Sequence, residues 1–243
     1  MRILLKLSYL GTNYHGWQVQ PNGVTVQEKI QDALESLYGV RPGVAGCSRT
    51  DAGVHANEFY CHYDVEKYIA EDGIIAALNI ALPNDIAVTG CKYVNDDFHA
   101  RYSSKGKEYV YKIFVSKTPN PFLDGRCWHL NRNLNVDTMN VFAKQLIGKY
   151  DFMAFSSSGR TVDDTVRTIY DCSVSMNNDI ITVRVSADGF LYNMVRIIVG
   201  TLVEVSDGKI DENSALEILS SRNRRLAGVT APPQGLYLNK VFY

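Results

Sequence analysis

Cys47-Ser48-Arg49-Thr50-Asp51-Ala52-Gly53-Val54-His55-Ala56 places an arginine, an acid, a glycine and a histidine between two apolar stretches, Val44 to Cys47 and Phe59 to Val65. The apolar flanks read as buried strands and the polar residues as their tight connection. Core packing gives no reason for an acid there, and loops set on a rigid scaffold are where binding and catalytic groups concentrate. Three readings of Asp51 follow from the residues alone. It is a catalytic carboxylate, a turn-forming Asp bonded to its own backbone, or a metal ligand. The third is the weakest, because His55 and His62 stand seven apart with no second acid or cysteine at ligand spacing.

Working outward, the same grammar repeats. On the N-terminal side, Ile3, Leu5, Leu7 and Tyr9 alternate with Arg2, Lys6 and Ser8, a strand that Leu4 makes partly covered on both faces. The long loop Gly11 to Gly23 follows, rich in Gly, Asn and aromatics, with Trp17, Gln18 and Gln20 as hydrogen-bonding groups. Thr25 and Glu28 form a capping box, Ile30, Ala33, Leu34, Leu37 and Tyr38 keep helical spacing, and Gly39 ends the helix. Beyond the opening motif, Phe59, Cys61, Tyr63 and Val65 alternate against Glu58, Tyr60, His62 and Asp64, predicting a half-buried strand. A helix is predicted from about Glu66 to Asn79 and a strand from Asp85 to Val94.

Strand, helix, strand, strand, helix, strand is the order of a ferredoxin-like α/β sandwich. The second part follows it loosely. Lys107 to Val115 is a strand with Tyr109, Tyr111 and Ile113 on one face. Asn135 caps a helix that Gly148 ends, and Asn177-Asn178 turns a hairpin. Leu191, Met194, Val195, Ile198, Val199 and Leu202 form a helical stripe, with Arg196 about 140° round from Leu191 and so off it. Asp211 to Leu219 reads as a short capped helix and Gly235 to Tyr243 as a last strand. The expectation is therefore an α+β protein of two ferredoxin-like sandwich domains, 1–103 and 104–243, with mainly antiparallel sheets flanking a central cleft. The halves share no sequence identity, so the duplication is one of topology.

Composition narrows the setting. The chain has 243 residues, a net charge of −1, 46% hydrophobic and 21% charged residues, enough length to bury a core without a metal or disulfide staple. Cysteines at 47, 61, 91, 127 and 172 are odd in number and never form a CxxC, which fits a reduced cytoplasmic setting. No signal peptide or membrane span is read. The near-neutral charge gives no global support for nucleic-acid binding, so such a function needs a local basic cleft.

Several stretches together resemble the TruA-type tRNA pseudouridine synthases. They are Gly11-Thr12-x-Tyr14-x-Gly16-Trp17-Gln18-x-Gln20-Pro21-Asn22 with Thr25-Val26-Gln27, then Arg49 to Ala56, then Ala77-Leu78-Asn79 to Leu82-Pro83. Phe98-His99-Ala100-Arg101, Lys107-x-Tyr109-x-Tyr111, Met194-Val195-Arg196-x-x-Val199-Gly200 and Gly235-Leu236-Tyr237-Leu238 complete the set. They run through almost the whole chain in family order. Ser48 departs from the usual Gly before the Arg and bears only on local backbone geometry.

The resemblance implies isomerisation of uridine to pseudouridine in the anticodon stem-loop of tRNA near positions 38 to 40, by a homodimer without metal or other cofactor. It also implies Asp51 as catalytic acid, Arg196 as its ion-pair partner, and Tyr109 stacked on the target base. Arg49 would fill the space of the flipped nucleotide, and Gly53 would let the backbone approach it. Gln18, His55 and Arg101 are further candidates for substrate contact. Arg101, Lys105, Lys107, Arg160, Arg167 and Arg222 are candidates to line an RNA groove, and His55, His62 and His99 are read as structural or RNA-contacting. Against a tRNA-binding helper without catalysis stands the joint presence of Asp51, Arg196 and Tyr109. Against a glycoside or nucleoside hydrolase stands the single acid of the opening motif.

Overall fold

The computed structural model describes residues 1–159 and 163–243. Arg160, one of the groove candidates, lies outside the described residues. The chain divides into two compact units, one of residues 1–105 with 237–243 and one of residues 106–236. The last strand therefore belongs with the first unit rather than with the segment that precedes it.

In the first unit, β1 (Arg2–Tyr9) buries Ile3, Leu5, Leu7 and Tyr9, and its other face is half-buried, as Leu4 implies. It lies antiparallel between β3 (His55–Asp64) and β4 (Ile86–Val94), with Leu5 opposite Cys61 on one side and Cys91 on the other. Short β2 (Val44–Gly46) joins the far side of β3. Helices α1 (Val26–Tyr38) and α2 (Glu71–Ala81) pack on each other, α1 against β2 and α2 against β4. This is the strand–helix–strand–strand–helix–strand order read from the sequence. Thr25 and Glu28 make both bonds of the capping box, and Gly39 stops α1 in the left-handed conformation at φ 72°.

Two elements differ from expectation. The second helix starts at Glu71 rather than Glu66. Its N-cap, Ala70, offers no side-chain hydrogen bond, and the Glu71 carboxylate instead accepts the Tyr93 N–H of β4. β3 begins four residues before Phe59, so His55 is a strand residue. β3 is half-buried as read, with Phe59, Cys61 and Tyr63 in the core and Glu58, Tyr60 and Asp64 half-buried or exposed; the exception is His62, covered because Ala100 donates its N–H to His62 Nδ1 at 3.2 Å and the His99 ring packs edge-on at 4.6 Å.

The second unit holds β5 (Gly106–Val115), β6 (Trp128–Leu130), β7 (Gly148–Asp151), β8 (Val166–Asn177) and β9 (Ile180–Ala187). β5, β9, β8 and β7 pair antiparallel in that order, and β6 runs parallel on β5. Asn178 turns the β8–β9 hairpin at φ 50°, a conformation asparagine tolerates. Helix α3 (Val136–Gln145) packs on β8, and α4 (Met194–Ser206) packs on α3 and β5. The Asn135 side chain caps α3 as read. Gly148 does not end it: the helix stops at Gln145, and Gly148 opens β7 at φ 129°.

α4 is buried almost all round rather than along one stripe, and Leu191 lies before it. The angle reckoned from Leu191 therefore does not apply, although Arg196 is still among the few half-buried residues of the helix. Helix α5 (Ala215–Ser221) starts four residues later than read, because the Asp211 carboxylate closes a turn on the Asn213 N–H instead. Last comes β10 (Leu236–Phe242), whose Tyr237 and Leu238 pair parallel with His55 and Ala56 of β3. Both units are thus a helical layer on a mostly antiparallel sheet, a mixed α/β architecture. Among the described residues no helix is long and apolar enough to cross a membrane. All five cysteines are buried free thiols, and burial pushes those of Cys91 and Cys172 up to about 12, the state of packing groups rather than nucleophiles.

Burial, and next the neighbouring His99, hold the His62 imidazole below its ordinary value of 6.5. A base depressed in the folded state contributes stability above that value and loses it as pH falls, since the unfolded chain then binds the extra proton. The melting temperature is expected to drop between pH 7 and pH 5. His62→Asn, which sets Oδ1 where Nδ1 accepts, should flatten that slope; an unchanged slope in thermal melts at both pH values would refute the assignment.

Candidate active site

Asp51 sits half-buried at the head of a turn, Asp51 to Val54, closed by the Val54 N–H on the Asp51 carbonyl at 3.1 Å. Gly53 completes it at φ 78°, left-handed backbone that favours glycine. The turn read from the sequence is thus present, and it is closed by the main chain. A second loop clamps it. The Trp17 N–H donates to the Thr50 carbonyl at 3.0 Å, the Gly53 N–H donates to the Tyr14 carbonyl at 3.3 Å, and the Tyr9 hydroxyl pairs with Thr50 Oγ1 at 2.9 Å in the core.

That clamp has its own anchors. Trp17 is fully buried with its ring 4.1 Å from Phe59, under a glycine at 46 whose Cβ would collide with the indole. The Tyr14 hydroxyl donates to Asp85 at 2.5 Å and the Asn13 amide to the same carboxylate at 3.3 Å. Gly16, at φ 84°, lies so close to the Thr50 carbonyl that a Cβ would overlap it. Tyr9 and Asp85 carry no motif signal that singles them out in the sequence; their role emerges only from contacts across 41 and 71 residues.

The other candidates in this unit divide by exposure. Arg49 is exposed beside the turn. His55 is fully buried; its Nδ1 accepts the Gly11 N–H at 2.9 Å and its ring lies 4.6 Å from Tyr237. Gln18 is exposed, but its amide donates to Gln27, which in turn holds the Val44 carbonyl. Arg101 is exposed, its guanidinium 5.7 Å from the Tyr102 ring.

In the second unit, Tyr109 is buried on β5 with Phe190 packed edge-on at 4.9 Å. Arg196 projects half-buried from the first turn of α4. Its Nε donates to the Ala231 carbonyl at 2.7 Å and an Nη to the Asn193 side chain at 2.9 Å, and the Ala231 N–H returns to the Arg196 carbonyl. Asn193, at φ 60°, is the left-handed N-cap that aims this end of the helix. Of the groove candidates, Lys105 is exposed and Lys107 half-buried. Arg167 donates to the Val166 carbonyl, and Arg222 pairs with Asp151 at 2.7 Å.

The turn thus presents an acid on a hydrogen-bonded loop set on the sheet, the kind of position where functional groups concentrate. A family model described as tRNA pseudouridine synthase matches residues 142–243. The chain is 47% identical over 241 residues to the tRNA pseudouridine synthase A of Thermoanaerobacter sp. (strain X514), covering 99% of each. It is 46% identical over 243 residues to that of Ruminiclostridium cellulolyticum, covering 100% of this chain and 99% of the relative. The crystal structure of a Cbf5-Nop10-Gar1 complex aligns over 97% of this chain and 48% of its own at a TM-score of 0.40 and 11% identity, too slight to carry function. The chain belongs to the tRNA pseudouridine synthase A family and is an isomerase.

The clamp is testable at Gly16. Gly39→Ala carries the cost of a left-handed backbone in open space, since no atom lies within 4 Å of the added carbon. It should cost about 1 kcal/mol. Gly16→Ala adds the collision with Thr50 and should lose at least about 1 kcal/mol more in urea unfolding, with turnover falling as well. Equal losses at the two glycines would contradict a tight clamp.

Proposed function

We propose that the protein converts uridine to pseudouridine in the anticodon stem-loop of tRNA, at positions 38 to 40, with Asp51 as the reacting carboxylate. Supporting this reading above all is the fixed, half-buried Asp51 turn in a chain that matches family relatives over nearly its full length. In the reaction the N1–C1′ glycosidic bond breaks, the freed uracil rotates, and C5 bonds to C1′. The C5 proton leaves and N1 regains one, so no group is lost and no redox partner is needed. The carboxylate acts ionised, either by covalent attack or by assisting glycal formation.

Arg196 is assigned to hold that charge. An ion pair with an arginine keeps a carboxylate deprotonated and fixes its rotamer, and the bonds to Ala231 and Asn193 orient the guanidinium beforehand. Tyr109, braced by Phe190, is assigned to stack on the target base and to assist proton transfer at C5. A uridine within a stem is out of reach unless flipped, at a cost of a few kcal/mol. Exposed Arg49 is assigned to the vacated space. Arg101 contacts the RNA, and Gly53 lets the backbone approach the nucleotide. Buried His55 and the Gln18–Gln27 pair are assigned to support of the loop rather than to the RNA. The protein is assigned to the cytoplasm as a homodimer.

Asp51→Asn keeps the shape of the side chain and removes its charge. Tritium release from C5-labelled tRNA should fall to background while tRNA binding stays within about twofold; normal release would end the assignment. Tyr109→Phe keeps the ring against Phe190 and removes the hydroxyl. Turnover is expected to slow about tenfold or more with binding preserved, whereas unchanged turnover would leave the ring alone with a role.

A further inference from the structure

Tyr102 stands out among the residues that the assigned site does not use. Its side chain is 76% exposed, on a segment whose backbone is tightly fixed. Ala100 is fully buried; its N–H donates to His62, and its carbonyl accepts the Tyr243 hydroxyl at 2.7 Å. The Ser103 N–H closes a turn on the His99 carbonyl at 2.9 Å. The His99 imidazole accepts the N–H groups of both Arg101 and Tyr102 through Nδ1. From this frame a stack of rings runs outward. His62 is buried, His99 packs on it at 4.6 Å, and Tyr102 packs on His99 at 4.3 Å with 35° between the planes. The Arg101 guanidinium lies 5.7 Å from the outermost ring.

A tyrosine kept for packing would be turned inward. This one is held outward by a rigid support, and its neighbours in the chain are His99, Arg101, Ser103, Ser104 and Lys105. That company lacks the aliphatic side chains of a protein–protein contact. Two acids precede this segment: the Asp96 main-chain carbonyl accepts from Arg2, and Asp97 borders an open recess of about 390 Å³ with Val94, Asn95, Phe98 and Ser103. A carboxylate there accepts an N–H of a base and repels a phosphate.

We infer that the Tyr102 ring, backed by His99 and flanked by Arg101, is a stacking platform for one unpaired nucleobase of the tRNA, separate from the uridine at Asp51. An exposed π-face with an adjacent guanidinium is the arrangement that holds single-stranded nucleotides without reading their sequence. The inference rests on the tRNA-modifying reading and adds a second contact point to it.

The test uses the full-length protein and an unmodified tRNA transcript, with binding followed by fluorescence anisotropy and turnover by tritium release. Tyr102→Phe keeps the π-face and should bind as the parent does. Tyr102→Leu keeps apolar bulk without it, and both Tyr102→Leu and Tyr102→Ala should bind about 5- to 150-fold more weakly, the range for losing one base–aromatic stack. The loss should fall on KM, and the slope of log Kd against log salt should stay unchanged, since stacking releases no counterions. Arg101→Ala should reduce that slope. Binding of Tyr102→Ala equal to the parent would overturn the proposal. So would full rescue by leucine, or a changed elution volume on size exclusion, either of which would assign the ring to a protein contact. Absence of tritium release by the unmutated protein would instead refute the underlying activity, and the binding series would still report on the platform.

Discussion

Thr50 ties the turn that carries Asp51 to the core. Its carbonyl accepts from Trp17 and its hydroxyl from or to Tyr9, so the residue next to the acid is bonded to the end of the first strand and to the loop that follows it. Trp17 fills the space over Phe59 and Gly46. Moving Asp51 by an ångström would mean moving an indole that is fully buried. A reacting group needs such placement, because small displacements from the productive geometry are costly in rate. The glycines of the loop Gly11 to Gly23 serve the same end: at Gly16 two backbones meet at a distance that no side chain permits.

The first unit was legible in the sequence almost element by element, because its signals are local. Alternation in Ile3 to Tyr9, the Thr25–Glu28 box and the left-handed Gly39 each act within a few residues and meet no competing force. The misreadings come where tertiary contacts override local preference. Glu66 has helix-forming chemistry but no cap near it, and Glu71 is taken up by Tyr93. His62 alternates as a surface residue yet is covered by a segment nearly forty positions away. Gly148 looks like a helix stop but serves a strand. α4 reads as amphipathic and is buried nearly all round, since α3 and β5 both pack on it.

The site was legible in a different way. Residue chemistry alone left Asp51 between a turn former, a ligand and a catalytic acid; the resemblance carried by distant motifs is what points to the acid, and the backbone turn from Asp51 to Val54 does not compete with that proposal. What the motifs conceal is support. Nothing in the spacing of Tyr9, Asp85 or Phe190 links them to Asp51 or Tyr109, because side-chain contacts between distant segments leave no period in a sequence. Exposure is equally hidden: His55 and Arg49 lie in one motif, yet one is sealed in the core and the other faces solvent.

The parallel pairing of β10 with β3 has a consequence for how the protein is made. Residues 237 and 238 lie beside His55 and Ala56, directly after the turn that carries Asp51. A ribosome delivers those residues only after the whole second unit. Until then this end of β3 has β1 on one side, where Tyr9 faces Ala56, and an unpaired edge on the other. The first unit to emerge is thus the last to be completed, and its sheet remains open beside the acid until synthesis has passed through everything that follows.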